Sequence, residues 1–309
     1  MELSVLVLIF IGLIALYGGG ELLVRAAVVI GTWLGLSTLV TGLTIVALGT
    51  SAPELAVSID AAIFGSTEIA ISNVIGSNFA NIALVLALSA LFAPIAVETL
   101  VLSRDLPFML VGFVVTLLIL LDNRVGLLDG LILLLGLVIY LGYVIWHTRR
   151  HRIKESIDGR QTRSVVKTLL QLAGGISLLA LGGHWLVEGA VNIAQKLGVS
   201  EAVIGMTIVA VGTSLPEITA SLISIARGHG SMAIGNVVGS NIWNTYGVLG
   251  ATATIIPLQR GQVTYTMVVA MIGAGFLLWV FCRTRFQITR TEGGLLLAAY
   301  IACQSYLFI

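Results

Sequence analysis

Two copies of one short motif decide how this chain folds. GLTIVALGTSAPE occupies residues 42–54, and GMTIVAVGTSLPE occupies residues 205–217. Ten of the thirteen positions are identical, and the copies lie 163 residues apart. A second pair of segments, NVIGSNFAN (73–81) and NVVGSNIWN (236–244), follows at the same offset without a gap. Self-similarity at one fixed spacing predicts an internal duplication in which each half carries both motifs.

The composition around these motifs is that of a membrane protein. Of the 309 residues, 58% are hydrophobic and only 10% are charged, whereas soluble proteins carry about 25% charged residues. Such a composition excludes a soluble enzyme, and the formal net charge of +1 gives no reason to expect a nucleic-acid partner. One membrane-spanning helix with its loop needs about 30 residues, so the length predicts about ten spans.

Ten apolar runs are long enough to be these spans, and the motifs fall on the second, third, seventh and eighth of them. The first run follows the amino terminus with no basic segment before it, so we expect a retained span and not a removable signal peptide. The fold class predicted is an all-α membrane protein with ten transmembrane helices. The predicted spans are residues 3–30, 36–63, 69–93, 106–121, 125–146, 165–193, 199–225, 231–256, 263–282 and 292–308.

One polar stretch divides the chain into two halves of five spans. We predict a first five-helix repeat over 1–147, a basic cytoplasmic linker over 148–164 and a second repeat over 165–309. Because five is odd, the second repeat enters the membrane inverted relative to the first. Lysine and arginine favour the cytoplasmic side, and 12 of the 16 lie there if both termini are outside. Inverted repeats are typical of secondary transporters, whose site lies at the bilayer midplane.

The motifs place oxygen donors along one stripe of each of four helices. No histidine, cysteine or lysine joins them. Hard cations such as Ca²⁺ and Na⁺ take oxygen ligands, whereas transition metals prefer imidazole or thiolate, so the pattern predicts a site for hard cations. The stripes consist of Ala47, Thr50, Ser51 and Glu54; Asn73, Ser77 and Asn81; Ala210, Thr213, Ser214 and Glu217; and Asn236, Ser240 and Asn244.

Each motif also carries a proline and a carboxylate within its span. Pro53 and Pro216 have no N–H, so each leaves a backbone carbonyl of the preceding turn without its helical partner. Two ionised carboxylates at the bilayer centre are costly without a counter-ion. A Ca²⁺ between Glu54 and Glu217 would neutralise the pair, and several Na⁺ ions could share the same oxygens. The motifs therefore predict an exchanger that holds one set of ions or the other.

Some residues leave alternatives open. Asp60 lies six residues beyond Glu54 and suits a solvated helix end better than the outer mouth of the pathway.

A cation channel and an intramembrane hydrolase are more distant alternatives to an exchanger, and no nucleophile or substrate groove supports the hydrolase. Four asparagines suit either hydrogen bonds between helices or contact with an ion: Asn73, Asn78, Asn236 and Asn241.

GTSAPE and GTSLPE, followed by GSNFAN and GSNIWN, resemble the two alpha-repeats of the cation/Ca²⁺ exchanger superfamily, and most closely those of short prokaryotic Na⁺/Ca²⁺ exchangers. The resemblance implies that Glu54 and Glu217 are the central Ca²⁺ ligands, with backbone carbonyls of Thr50 and Thr213 beside them. It implies that Asn81 and Asn244 complete the middle of the cluster. The Na⁺ sites that it implies are built by Ala47, Ser51, Ser77, Ala210, Ser214 and Ser240.

The coupling ion is predicted from small differences within that superfamily. Asn244 stands where some members of the superfamily have an acid, and the absence of that charge disfavours K⁺ co-transport. Asn244 also makes the site symmetric, with Asn81 opposite it, which resembles the proton-coupled branch. The Gly-Thr-Ser hydroxyls, however, favour Na⁺. We therefore expect an electrogenic Na⁺/Ca²⁺ antiporter in a prokaryotic inner membrane, with an H⁺/Ca²⁺ exchanger as the alternative. The expected partners are Ca²⁺, Na⁺ and membrane lipid, without a cofactor, a protein partner or an enzymatic activity.

Overall fold

The structure, a computed structural model, describes residues 3–150, 164–198, 210–261 and 263–307. Within them the chain is helical apart from short connections and four two-residue strands. The helical segments are α1 (Leu3–Leu34), α2 (Thr38–Thr50), α3 (Ala52–Ile63), α4 (Thr67–Phe92), α5 (Val101–Asp122), α6 (Leu127–Arg150), α7 (Val165–Lys196), α8 (Ala210–Thr213), α9 (Leu215–Ala226), α10 (230–255), α11 (Tyr265–Arg285) and α12 (Arg290–Leu307).

Six of the described helices are long and apolar enough to cross a membrane, namely α1, α4, α5, α6, α7 and α11. The pair α2 and α3, bent by 40°, adds a seventh if it counts as one span. Large apolar side chains such as Phe10, Leu128 and Leu170 are 65% to 73% exposed, which suits contact with lipid. The described part of the chain is a multi-pass, all-α membrane fold. The predicted linker 148–164 and span 199–225 lie partly outside the described residues.

The prolines of the motif break two helices, as the sequence predicts. Ser51 separates α2 from α3 with φ −84° and ψ 0°, and Pro53 lies in the first turn of α3. Ser214 separates α8 from α9 with φ −90° and ψ 3°, and Pro216 takes the corresponding place. Proline is tolerated in a first turn because the N–H it lacks would have no helical partner there. Each new helix therefore starts with a motif glutamate in its first turn.

Turns of π-helix interrupt several helices, and the hydrophobic pattern does not predict them. A π turn contains one extra residue, which redirects the side chains around it, and such turns are frequent at functional sites. Asn81 and Asn244, the last residues of the second motif in each half, both lie in one. The described π turns are Gly42–Val46, Asn81–Leu86, Val101–Asp105 and Trp243–Val248.

Glycines bring α1 and α7 together backbone to backbone. A Cβ at Gly12 would lie 2.9 Å from the carbonyl oxygen of Gly182, and a Cβ at Gly19 would lie 2.9 Å from that of Gly175. The residue number of the contact increases along α1 but decreases along α7, so the two helices run antiparallel. The glycines are also related by the 163-residue offset, since Gly12 corresponds to Gly175 and Gly19 to Gly182. Small residues permit such close crossings in membranes.

Two small antiparallel ribbons join the halves at the two ends of α5. Strand β1 (Ile95–Ala96), before α5, pairs with β4 (Gln287–Ile288). Strand β2 (Arg124–Val125), after α5, pairs with β3 (Leu258–Gln259). The 163-residue offset converts the residue pairs of one ribbon into those of the other. For example, the pair Ile95 and Ile288 corresponds to the pair Leu258 and Val125. The two halves are therefore connected in equivalent ways at both ends of this helix.

Helix α10 lies at the centre of this arrangement. Each of its residues from 232 to 242 is buried. A helix that is buried on all sides lies in the interior of a bundle. By contrast, only a third or less of the most apolar part of α1 and of α7 is buried, so these two helices lie at the periphery. Helix α10, which carries the second motif of the second half, thus lies in the interior of the protein.

The close crossing predicts a difference between two adjacent glycines. A Cβ at Gly175 would lie 2.7 Å from the backbone nitrogen of Leu23, whereas a Cβ at Gly174 meets no described atom within 4 Å. We expect Gly175→Ala to lower the melting temperature of the purified protein in detergent. Gly174→Ala should maintain or raise it, because alanine favours a helix by about 1 kcal/mol over glycine. Size-exclusion chromatography after heating measures both variants, and identical melting curves would contradict the crossing.

Candidate cation site

The two motif glutamates lie together in the interior of the protein. Glu54 is 1% exposed and Glu217 is 0% exposed. They belong to different halves, on α3 and α9, yet their carboxylates lie within range of each other's charge. No described residue gives either carboxylate a hydrogen bond of normal geometry, and no described basic residue pairs with it. The central feature predicted from the sequence, two neighbouring buried acids, is present.

Other buried polar atoms of the motifs also have no hydrogen-bond partner among the described residues. They are Ser51 Oγ, Ser77 Oγ, Ser214 Oγ and both amide atoms of Asn81 and of Asn244. Nearly all buried polar groups in proteins are hydrogen-bonded, so a concentration of unpaired ones requires an explanation. Oxygen atoms with free lone pairs are the ligands that hard cations take. Away from these stripes, the same condition holds for Asn78 Oδ1, Ser89 Oγ, Arg104 Nη1, Asn241 Oδ1 and Trp243 Nε1.

Thr50 connects the first motif of one half to the second motif of the other. Its hydroxyl lies 3.2 Å from Asn236 Oδ1 and 3.2 Å from Ser240 Oγ. It also donates to the carbonyl of Ala47 at 3.3 Å. Gly239 allows this contact, because a Cβ there would lie 2.6 Å from a backbone oxygen of α2. Three sequence-predicted site residues, Ala47, Thr50 and Ser240, are thus brought together and fully buried.

Asn73 ties α4 to the helix that carries the first glutamate. Its Nδ2 donates to the carbonyl oxygen of Glu54 at 3.2 Å and to Ser58 Oγ at 3.0 Å. Both acceptors lie on α3, one helical turn apart. Of the two alternatives that the sequence leaves open for this asparagine, the geometry favours a hydrogen bond between helices.

Asn236 makes the corresponding bonds in the second half. Its Nδ2 donates to the carbonyl oxygen of Glu217 at 3.4 Å and to Ser221 Oγ at 3.0 Å. Because its Oδ1 also accepts from Thr50, both ends of this amide are occupied. The duplication thus preserves hydrogen bonds as well as sequence.

The serines in these bonds are missing from the site predicted from sequence. Ser58 and Ser221 are 0% exposed and stand at the 163-residue offset. Each lies four residues after a motif glutamate and so extends the same helical stripe by one turn. That recurrence is the signal that could have identified them.

The other polar residues near the motifs make contacts between helices or lie at the surface. Asn78 Nδ2 donates to Thr245 Oγ1 at 2.9 Å, which joins α4 to α10. Asn241 Nδ2 lies 3.5 Å from Met109 Sδ on α5. Asp60 is exposed near the end of α3, as expected of a solvated helix end.

Part of the second copy of the motif cannot be compared with the first. Residues 199–209 and the side chain of Ala210 lie outside the described residues. Thr213 ends α8 and has an interaction partner of its own. The role predicted for Ala210 therefore stays a prediction.

The charge of the site comes from the two carboxylates. The described residues contain no group of three or more His, Cys, Asp or Glu side chains that could hold a metal ion. The other polar groups of the motifs are neutral hydroxyls, amides and backbone carbonyls. Fewer charged ligands mean weaker binding of a divalent cation, which suits an ion that must also leave.

A multi-pass membrane fold around two buried carboxylates and neutral oxygen donors defines a transporter of cations. The sequence profile described as sodium/calcium exchanger protein matches residues 4–146 and again residues 167–309, and the chain belongs to that family. The resemblance seen in the motifs is thereby confirmed. Proteins of this family and its structural neighbours are transporters and not enzymes.

Similar proteins cover nearly the whole chain. The putative antiporter CaxA of Alkalimonas amylolytica is 34% identical over 98% of both chains. The inner membrane protein YrbG of Escherichia coli is 30% identical over 97% of this chain and 96% of its own. A solved structure of the sodium-calcium exchanger NCX_Mj superposes with a TM-score of 0.84 at 33% identity, over 99% of this chain and 100% of the other.

Neutralising both glutamates should stabilise the protein when cations are absent. Each buried carboxylate without a hydrogen-bond donor opposes folding, and the two repel each other. In buffer with a chelator and without Na⁺, we expect Glu54→Gln combined with Glu217→Gln to raise the melting temperature by several degrees. As a control, Glu188→Gln removes a carboxylate whose side chain is 48% exposed and should have no such effect. A double variant that melts at or below the wild-type temperature would show that the carboxylates do not destabilise the folded protein.

Proposed function

We propose that this protein is a Na⁺/Ca²⁺ antiporter that holds Ca²⁺ between Glu54 and Glu217. The observation that carries the proposal is the pair of buried carboxylates, one from each half, without a basic partner among the described residues. Two neighbouring negative charges inside a membrane require positive ions. Family membership supports these ions, as do NCX_Mj structures solved after soaking with Na⁺ and Ca²⁺ or with Na⁺ and Sr²⁺.

The same oxygen atoms would serve both kinds of ion. Beside the two carboxylates, Ca²⁺ would take the backbone carbonyls of Thr50 and Thr213. Na⁺ ions would use the carboxylates together with other donors of the motifs, with Asn81 and Asn244 between them. Because both sets of ions need the glutamates, they compete, and competition for one site is what couples two fluxes. The Na⁺ ligands proposed are Ala47, Ser51, Ser77, Ala210, Ser214 and Ser240.

We propose ten spans arranged as two inverted five-helix repeats, 1–147 and 165–309, joined by the linker 148–164. The antiparallel crossing of α1 and α7 supports the inversion, because these are corresponding first helices. The ribbons support it independently. They lie at opposite ends of α5, so a symmetry that exchanges them also exchanges the two faces of the membrane. Its axis then lies in the membrane plane, as in many secondary transporters.

The charge distribution supports one orientation of this fold. With both termini outside, 12 of 16 lysines and arginines lie on the cytoplasmic side. We propose a prokaryotic inner membrane as the location, which agrees with the name of the Escherichia coli relative. If Na⁺ entry moves net charge inward, each elementary charge adds about 2.3 kcal/mol per 100 mV to Ca²⁺ extrusion.

An H⁺/Ca²⁺ exchanger is the second candidate, and one observation favours it. Asn81 and Asn244 are both buried and occupy equivalent positions, so the centre of the site is symmetric and carries no third acid. The hydroxyls of Ser51 and Ser214 favour Na⁺ instead, because their oxygens are buried and unpaired among the described residues.

Ca²⁺ flux into proteoliposomes distinguishes the candidates. We expect an outward Na⁺ gradient to drive uptake of radioactive Ca²⁺, and Glu54→Gln or Glu217→Gln to reduce that uptake to background. Glu188→Gln, which neutralises an exposed carboxylate, should transport like the wild type. Uptake driven by a pH step without Na⁺ would favour the proton-coupled alternative. Near-normal uptake in either motif variant would remove the carboxylates from the mechanism.

A further inference from the structure

The bonds of Asn236 set the direction in which hydroxyl protons point at the site. The carbonyl oxygen of Glu217 can only accept, so it fixes the Nδ2 side of the amide toward α9. Asn236 Oδ1 consequently faces Thr50 and can only accept from it, as can the carbonyl of Ala47. The single proton of Thr50 is therefore directed toward these two oxygens or toward the nearby Glu217 carboxylate.

Ser240 must then be the donor in its contact with Thr50. Its Oγ lies 3.2 Å from Thr50 Oγ1, whose proton is already used. With its own proton directed at Thr50, the Ser240 oxygen has its lone pairs free on the other side. A cation binds lone pairs and is repelled by a hydroxyl proton, so this chain of bonds prepares Ser240 as a ligand.

We propose that Ser221 is a positioning residue of the cation site. Ser221 accepts the second amide proton of Asn236 and so holds the orientation on which this chain of bonds depends. Ser58 accepts the corresponding bond from Asn73 in the other half, where Ser77 Oγ has no hydrogen-bond partner among the described residues. Ser221 is not among the proposed ion ligands; it acts through Asn236. The inference rests on the proposed function, because it concerns how well the same site fits its ions.

The test compares two buried hydroxyls on one helix. Ser221→Ala removes the bond to Asn236. Ser224→Ala removes a hydroxyl that is equally buried but donates only to the carbonyl of Ala220 at 2.7 Å. Calorimetry of purified protein measures the affinities for Ca²⁺ and for the larger Sr²⁺. We expect Ser221→Ala to weaken Ca²⁺ binding about 5- to 10-fold and to reduce the preference for Ca²⁺ over Sr²⁺.

Conservative replacement separates positioning from a general loss of structure. Ser221→Thr keeps the hydroxyl and should restore both the affinity and the preference, while Ser224→Ala should match the wild type throughout. If Ser221→Ala and Ser224→Ala show the same affinity and the same preference, the proposal is wrong. A wild type that binds Ca²⁺ without Na⁺-driven uptake would contradict the antiport alone, whereas a wild type that binds neither cation would contradict both.

A second, independent observation concerns how the peripheral helices pack on the interior. A Cβ at Gly20 of α1 would lie 2.6 Å from Ile223 Cδ1 and 2.8 Å from Thr219 Cγ2, both on α9. The counterpart of Gly20 is Gly183 on α7. A Cβ there meets only the carbonyl oxygen of Gly212, at 3.7 Å, and no described atom of α3. The backbones agree with this difference, because α1 runs closely along α9, whereas α7 and α3 barely approach each other.

An ion pair lies at the closed contact. Arg227, just after α9, donates from Nε to Glu21 Oε1 at 3.1 Å and from Nη2 to Glu21 Oε2. The residues that correspond to Glu21 and Arg227 at the 163-residue offset are His184 and Phe64. A phenylalanine cannot form an ion pair, so the equivalent contact between α7 and α3 has no such bond.

We infer that the Glu21–Arg227 ion pair is a latch that favours one of two access states. In an inverted-repeat transporter, the opposite access state arises when the two halves exchange conformations. That exchange would open α1 from α9 and close α7 on α3, replacing the ion pair by His184 and Phe64. The two states then differ by the contribution of an exposed pair, which amounts to about 2- to 5-fold in their ratio. This inference also rests on the proposed antiport.

Matched arginines test the latch. Arg25 also pairs with Glu21, at 2.9 Å, but lies on the same helix and joins nothing to α9. We expect Arg227→Ala to shift the apparent Ca²⁺ affinities at the two faces of oriented vesicles in opposite directions, changing their ratio about 2- to 5-fold. Arg25→Ala should leave the ratio unchanged, and exchanging the two charges, Glu21→Arg with Arg227→Glu, should restore it.

A labelling experiment tests the latch without measuring ion transport, so its outcome does not depend on the proposed antiport. The background for this experiment is a protein in which Cys282 and Cys303 are replaced by alanine. Ile223→Cys then places the single thiol at the contact between α1 and α9. A water-soluble maleimide can label this thiol only when the contact opens. Arg227→Ala should accelerate labelling, and Arg25→Ala should not. Equal labelling rates in the two variants, or affinities that change alike at both faces, would overturn the inference whatever the transported ions are.

Discussion

Two like charges held close together in the interior of a membrane protein are the constraint on which the rest of this structure depends. Glu54 and Glu217 are almost completely buried, and no described residue offsets their charge. Such a pair is costly unless cations or protons neutralise it, because the bilayer offers neither water nor counter-ions. The neutral oxygen donors around the carboxylates are of the kind that hard cations bind.

Duplication supplies the second charge, and it also supplies the means of holding both. The same hydrogen bonds recur in each half, from Asn73 to α3 and from Asn236 to α9. Contacts between the halves follow the same symmetry, in the glycine crossing of α1 with α7 and in the ribbons beside α5. Where the symmetry fails, as at Glu21 and Arg227, the two halves are no longer energetically equivalent.

Much of the fold could be predicted from local patterns. The run predicted at 165–193 is observed as Val165–Lys196, and the break expected before Pro53 lies at Ser51. Helix length and proline stereochemistry depend on neighbouring residues, so the sequence suffices for them. The fifth helix begins at Val101 and not at 106, because its first turn is a π turn that contains Ser103, Arg104 and Asp105. These polar residues interrupt the apolar run, so the hydrophobic pattern placed the start of the span after them.

By itself, the sequence determined that the chain is a duplicated membrane protein with a carboxylate and a set of oxygen donors in each half. The membrane class follows from the composition, and the duplication and its donors follow from the constant spacing between the repeated motifs. Only the tertiary structure decided which donors meet: that Thr50 faces Asn236 and Ser240, that Ser58 and Ser221 hold asparagines, and that α1 is closed on α9. Such pairings join residues far apart in the chain, and their distances depend on helix packing, which no local pattern specifies.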